Sequence, residues 1–320
     1  MKKYLSLAVL FLSLNSFSQT SEDTVRYEML SDKPIYSWWG AGLSYDISVN
    51  PYNFTLAAFG VDATFMSEKF RANIYSRLHL AEALTDFSMN GHPSVESVYE
   101  AEKSRDFAID GSYFITENTK TERQEVRLKG GNRSKTVMII PAKVSYRYGA
   151  DLGFSSGVSY YNFGDATLDG IDEDGAQASL QSATENDAIS SYFSQHVLRI
   201  GASRTKTARF KVDTDLFGKK SVQDYTRLYV HGLVGFGQKL DDVLVPFPNT
   251  VGLDLFTRYD ISTNANFFPV GAAIGYEYYV MKKMGVSWIA ELGVKPGPKY
   301  STGNNAYLDI KLRFHLGQFL

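Results

Sequence analysis

Arg209, Lys211, Asp213 and Asp215 occupy alternate positions in one short stretch, and Asp309, Lys311 and Arg313 repeat the arrangement near the C-terminus. Charges two residues apart share a face of an extended strand, because strand side chains alternate with period two. Bare charges confined together must pair or stay wet. Two kinds of chemistry follow. One is an ion-pair network that fills and stiffens an interior; the other is the slightly basic wall of a narrow pore favouring small anions.

Nucleophilic and metal chemistry have weaker signals. The five histidines are His79, His92, His196, His231 and His315. Ser194 and His196 share the more apolar face of one segment, which is where a Ser/His pair acting on lipid would sit. Residues i and i+2 of a strand lie about 7 Å apart, too far for a direct hydrogen bond. His196 therefore reads as an interfacial side chain, and the chain as a non-enzyme, with a lipid hydrolase as the third functional reading. The stretch LDGIDEDGAQ collects Asp169, Asp172, Glu173 and Asp174, oxygen donors of the type hard cations take. Their spacing departs from the alternating acids of an EF-hand loop, so the stretch reads as solvated acid with neither metal nor cofactor. The chain has no Cys, which removes disulfides, thiolate metal sites and a Cys nucleophile.

The elements that must position these charges are strands. Period-two alternation recurs in twelve windows: 35–49, 54–66, 70–80, 138–148, 151–161, 192–203, 207–216, 225–237, 251–259, 270–280, 285–295 and 306–316. In every window the more apolar parity is free of Asp, Glu, Lys and Arg. The opposite parity carries the bases Arg71, Arg77, Lys143, Arg147, Arg199, Arg209, Lys211, Arg227, Arg258, Lys295, Lys311 and Arg313. It also carries the acids Asp46, Asp62, Asp151, Asp213, Asp215, Asp254, Glu277, Glu291 and Asp309. The bases outnumber the acids, which motivates the basic-walled pore. Composition agrees with strands and turns: 21 Tyr, 21 Phe and 26 Gly against 9 Pro in 320 residues. A net charge of -2 gives no attraction to nucleic acid.

A soluble β-sandwich would also alternate, with its oils as the core. Connector lengths favour a membrane barrel instead. Tight links (SEK after Met66, GA after Tyr148, RTK after Ser203, KKM near Met281) alternate with the long stretches 81–137 and 162–191, as short periplasmic turns alternate with long outer loops. GQKLDDVLVPFPNT, in the short set, is longer than this rule wants. Tyr36, Trp38, Trp39, Tyr146 and Tyr148 sit near strand ends, where interfacial aromatics gather. Within the first long loop, 105–137 reads as a hairpin standing above the membrane and turning at Gly130-Gly131. If it crosses instead, the barrel has fourteen strands rather than twelve.

MKKYLSLAVLFLSLNSFSQ has the positive start, short apolar run and small residues of an export signal, giving residues 1–18 as signal peptide. Residues 19–34 read as a polar periplasmic extension without a clear fold, and 35–320 as the barrel. The ending AYLDIKLRFHLGQFL alternates and finishes on Phe319-Leu320. It resembles the C-terminal assembly signal of bacterial outer-membrane β-barrels, and the leader ending in Ser-Gln resembles those of Bacteroidota. The resemblance implies a Gram-negative outer-membrane address with both termini periplasmic, in contact with outer-membrane lipid and lipopolysaccharide. The functions to expect are a structural or accessory subunit with a plugged or narrow lumen, or a passive channel for small anionic solutes. Protein partners would dock through the extracellular loops or the periplasmic N-terminus.

Overall fold

The computed structural model describes residues 25–35, 37–50, 53–79, 105–130, 135–162, 168–172, 174–180, 190–246, 256–261, 266–298 and 305–319. The signal segment, His92, Asp254 and Leu320 lie outside them, as does the side chain of His79. The first strands in chain order are β1 (Tyr27–Asp32), β2 (Trp38–Asn50), β3 (Asn53–Met66), β4 (Phe70–His79), β5 (Arg105–Gly130) and β6 (Lys135–Asn162). There follow β7 (Leu168–Asp172), β8 (Gln177–Leu180), β9 (Ser190–Thr214), β10 (Gly218–Leu240), β11 (Val243–Pro246) and β12 (Phe256–Asp260). The last are β13 (Phe267–Phe268), β14 (Val270–Val280), β15 (Met284–Val294), β16 (Gly297–Pro298) and β17 (Ala306–Phe319).

Ten of these close a barrel in the order β2-β3-β4-β5-β6-β9-β10-β14-β15-β17, with β17 pairing back onto β2 and every ladder antiparallel. The closing strand is the C-terminal alternating segment. Phe314 faces Leu43 and Lys311 faces Asp46 across that seam. Closure leaves no sheet edge around the barrel proper.

The strand number is ten, not twelve or fourteen. Windows 138–148 and 151–161 are one strand, β6, and windows 192–203 and 207–216 are one strand, β9. The links GA and RTK are therefore not turns. Gly149 makes no turn; it is a point of close approach, where a Cβ would stand 3.0 Å from the Tyr113 carbonyl oxygen. Window 251–259 contributes β12 to a small sheet, β11-β12-β7-β8, outside the barrel. The reading of 105–137 as a hairpin standing clear of the barrel is corrected: Arg105–Tyr113 pair with β4 in the barrel wall, and β5 runs on to Gly130 at the opposite end of the barrel from the one expected.

With these corrections the connectors sort by length. At one end, the turn end, the connectors are 67–69, 131–134, 215–217 and 281–283. Ser67 shapes the first of them, its hydroxyl accepting from the Phe70 N–H at 3.1 Å. The other end, the loop end, carries 51–52 and all the long connectors, and GQKLDDVLVPFPNT belongs there. Both described chain ends lie at the turn end.

At the turn end, β5, β6, β9 and β10 run on past the barrel. The β6–β9 ladder stops at Val144–Ala208, and below it β9 takes β1 as its new partner. The polar lead thus contains a strand. Val126, Leu128, Ile140, Ala142, Phe210 and Val212 are buried together in this extension, with Met29, Met138, Phe217 and Val222 packed against them. On β9 the even side chains share one face, apolar at Leu198 and Ile200 and again at Ala208, Phe210 and Val212, with Arg204 and Lys206 between, and their surroundings change along it. Ile200 is exposed on the barrel wall, whereas Phe210 and Val212 are enclosed. A register shift between Phe114 and Thr116 does the matching on β5, placing Val126 opposite Met138.

Candidate functional site: the barrel interior

The inward parity holds Asp46, Asp62, Arg71, Arg77, Arg147, Asp151, Arg199, Arg227, Glu277, Glu291, Lys295, Asp309, Lys311 and Arg313, as the alternation predicts. The outward parity of the same strands exposes Leu43, Phe59, Ile74, Leu152, Val230, Leu292 and Phe314. Charge inside and oil outside is the reverse of a soluble core.

Six of the predicted interior charges are elsewhere. Lys143, Lys211, Asp213 and Asp215 belong to the extension, where the apolar side chains are enclosed and the charges meet solvent. The Lys143 backbone N–H donates to the Asp32 carboxylate there, at 2.9 Å. Arg209 lies over the Phe319 ring, 4.1 Å from its centroid. Arg258 sits on β12, paired with Asp242. Asp254 lies outside the described residues.

The interior is layered. Nearest the turn end, Trp38, Met66, Tyr225, Tyr279 and Met281 form an apolar floor, with Phe319 packed against it. Phe319 therefore points into the barrel mouth instead of continuing the outward apolar row. Arg147 donates to the carbonyls of Ser67 and Glu68 at 3.0 and 3.1 Å. Nearer the loop end, Val197, Leu233, Ala273 and Tyr307 make a second apolar cluster.

Between these layers the charges pair across the barrel. Arg71 meets Asp110 at 2.6 Å and Glu277 at 3.0 Å. Arg227 meets Glu277 at 3.0 Å and Asp151 at 2.7 Å. Arg77 meets Asp106 at 2.6 Å, Arg199 meets Glu291 at 3.0 Å, and Lys295 meets Asp309 at 3.0 Å. Asp46 lies between Arg77 and Lys311, and Asp62 is paired with Arg313.

Neutral groups complete the network. Tyr229 and Tyr307 donate to Glu291 at 2.7 and 2.6 Å, Ser203 to Asp151 at 2.8 Å, and Asn73 to Asp110 at 3.0 Å. Gly275 makes room for Tyr229, since a Cβ there would stand 2.2 Å from its ring. His231 joins Asp151 at 3.0 Å.

Among the described residues, Arg71, Arg77, Arg199, Arg227, Lys295, Lys311 and Arg313 pair with Asp46, Asp62, Asp106, Asp110, Asp151, Glu277, Glu291 and Asp309. Adding Arg147 makes bases and acids equal, so the basic bias expected of the wall disappears. Asp106 and Asp110 restore the balance, and sequence reasoning missed them because it took β5 for a hairpin outside the membrane. A cavity of about 60 Å³ lies among these side chains, lined by Asp46, Arg77, Arg199, Arg227, Glu291 and Lys311 among others. A cavity needs about 10–15 Å³ of such space to hold one water, so this one has room for several among the buried charges.

The other candidates resolve differently. His196 faces outward, but its partner is Ser156 on β6, whose hydroxyl lies 2.9 Å from Nδ1, while Ser194 donates to the Lys239 carbonyl at 3.4 Å. Phe154 and Phe236 flank the imidazole. Among the described residues no carboxylate orients the ring, so this is a hydrogen-bonded polar pair on an apolar wall. Asp172 is used by its own turn, accepting from the N–H groups of Asp174 and Ala176. His231 and His315 point inward as predicted.

No protein-family model matches the sequence, and no curated protein matches it either. Among solved structures it is similar to an anion-selective porin from Comamonas acidovorans, at 7% identity and a TM-score of 0.17, covering 92% of this chain and 100% of that one. It is also similar to OmpT, an outer-membrane protein of Vibrio cholerae, at 7% identity and 0.19, covering 91% and 100%. The translocator domain of the autotransporter NalP from Neisseria meningitidis matches at 10% identity and 0.17, covering 99% and 93%. Likeness at this level carries no weight; the barrel stands on the chain's own strand ladders.

Proposed function

We propose that this chain is an integral outer-membrane β-barrel of a Gram-negative, Bacteroidota-type bacterium. In this reading it conducts no solute and serves as a structural or accessory subunit of an outer-membrane assembly. The membrane address is supported by the apolar outer wall, which in water would be an exposed patch far larger than soluble monomers carry. The turn end then faces the periplasm, since short turns of such barrels do.

One observation carries the non-conducting reading: paired charges cross the interior between two apolar layers, around a cavity of about 60 Å³. Eight-stranded barrels are just filled by side chains and sixteen-stranded ones hold an open channel; ten strands fall near the filled end. The accessory role is supported by the extension, which adds a packed projection at the turn end. The partner, on this reading, docks at the periplasmic extension or the outer loops.

Planar-bilayer recording tests the first part. No conductance steps are expected, and discrete steps of either selectivity would overturn it. Extraction in mild detergent tests the second: co-purification of a stoichiometric partner is expected, and recovery of the chain alone sinks the accessory role.

A further inference from the structure

We propose that Arg204, framed by Tyr146 and Tyr148, binds the phosphodiester of a glycerophospholipid in the leaflet at the turn end. The inference rests on the membrane reading above. Tyr148 and Leu228 lie directly opposite Arg204 on the two neighbouring strands, and Tyr146 lies opposite Lys206. Immediately above them the wall is oil, with Ile200 and Leu152 exposed. Below them begins the extension, where apolar side chains are enclosed. The two rows therefore stand at the boundary between hydrocarbon and water, at headgroup level.

The charges at this boundary are not equally engaged. Glu122 accepts from the Tyr146 hydroxyl at 2.7 Å and pairs with Lys206 at 3.2 Å. The Tyr146 hydrogen bond first, and then Lys206, hold the Glu122 carboxyl below its ordinary range against a small desolvation. Glu122 is thus committed to Lys206. The Arg204 guanidinium lies over the rings of Tyr146 and Tyr148, 4.7 and 5.8 Å from their centroids. Among the described residues it forms no ion pair. Ring faces hold a guanidinium while leaving its in-plane N–H fork free, and that fork matches two phosphate oxygens. A ligand with an anionic phosphodiester and acyl chains would satisfy the fork and lie along Ile200 and Leu152.

The test uses the full mature chain in dodecylmaltoside micelles, titrated with phosphatidylglycerol or with diacylglycerol, which lacks the phosphate. Native mass spectrometry reads the bound lipid. Wild type is expected to retain phosphatidylglycerol and not diacylglycerol, Arg204→Gln to weaken retention about tenfold, and Arg204→Lys to weaken it less, as a charge without the fork. Equal retention by wild type and Arg204→Gln, or equal binding of the two lipids, would overturn the site. Heat-modifiable gel mobility checks that each variant is folded. Failure of wild type to insert into vesicles would refute the membrane reading separately, because lipid binding is measured in micelles.

Discussion

Arg227 shows how much one side chain holds in this interior. It bridges Glu277 and Asp151 and lies over the Tyr229 ring, 4.6 Å from its centroid. Breaking a buried pair by removing one partner costs about 3–5 kcal/mol, because the other charge stays buried. Arg227→Met should therefore lower unfolding free energy in micelles by that amount, measured by urea titration. Lys211→Met, on the exposed face of the extension, should shift it by no more than about 0.5 kcal/mol. Equal effects would mean that the interior charges are not buried. At this scale the sequence is informative where a charge lies on a strand whose surroundings stay constant, as for Arg71, Glu291 and Arg313. It is misleading at Lys143, Lys211 and Asp213, where alternation persists but the environment has reversed. Tyr229 and Tyr307 were hidden for another reason: a tyrosine counts as apolar in a pattern, yet its hydroxyl acts here as an interior donor.

Strands β6 and β9 explain why the element count came out at twelve. Each reads as two because GA and RTK look like tight turns, whereas each is a single strand, of 28 and 25 residues, more than twice the roughly 9–11 of a membrane crossing. Their lower halves belong to the extension, whose core is Val126, Leu128, Ile140, Ala142, Phe210 and Val212. Period two reveals a strand and its two faces, but not which solvent meets either face. Ile140→Ala should cost about 2–5 kcal/mol and Phe210→Ala about 3–5 kcal/mol. The loss should fall on the extension. Limited proteolysis in micelles is expected to cut within 114–144 in these variants while the barrel keeps its folded gel mobility. Unchanged cleavage would show that the cluster does not hold the extension together. The C-terminal strand, by contrast, is legible over 306–316 of its Ala306–Phe319 span, because one environment surrounds that stretch from end to end.

For the whole molecule, the three tryptophans offer a direct reading of orientation. Trp38 is buried in the floor, while Trp39 and Trp288 are exposed on the outer wall. Vesicles with brominated acyl chains should quench the emission of wild type and of Trp38→Phe. The quenching should largely vanish in the Trp39→Phe/Trp288→Phe double variant. Quenching that survives the double variant would turn the wall inside out. The general architecture, an all-β barrel with charges inside, follows from alternation and connector lengths; the balance of its interior required the strand β5, which supplies Asp106 and Asp110.

The register of β9 against β10 runs unbroken from His196 through Arg204 to Thr214. No proline interrupts this run, and its one glycine, Gly201, keeps an ordinary strand backbone. The projection and the wall are thus a single stiff beam with no joint between them. Any force that another molecule applied to the projection would travel straight into the staves of the barrel as shear, with nothing in between to bend and absorb it.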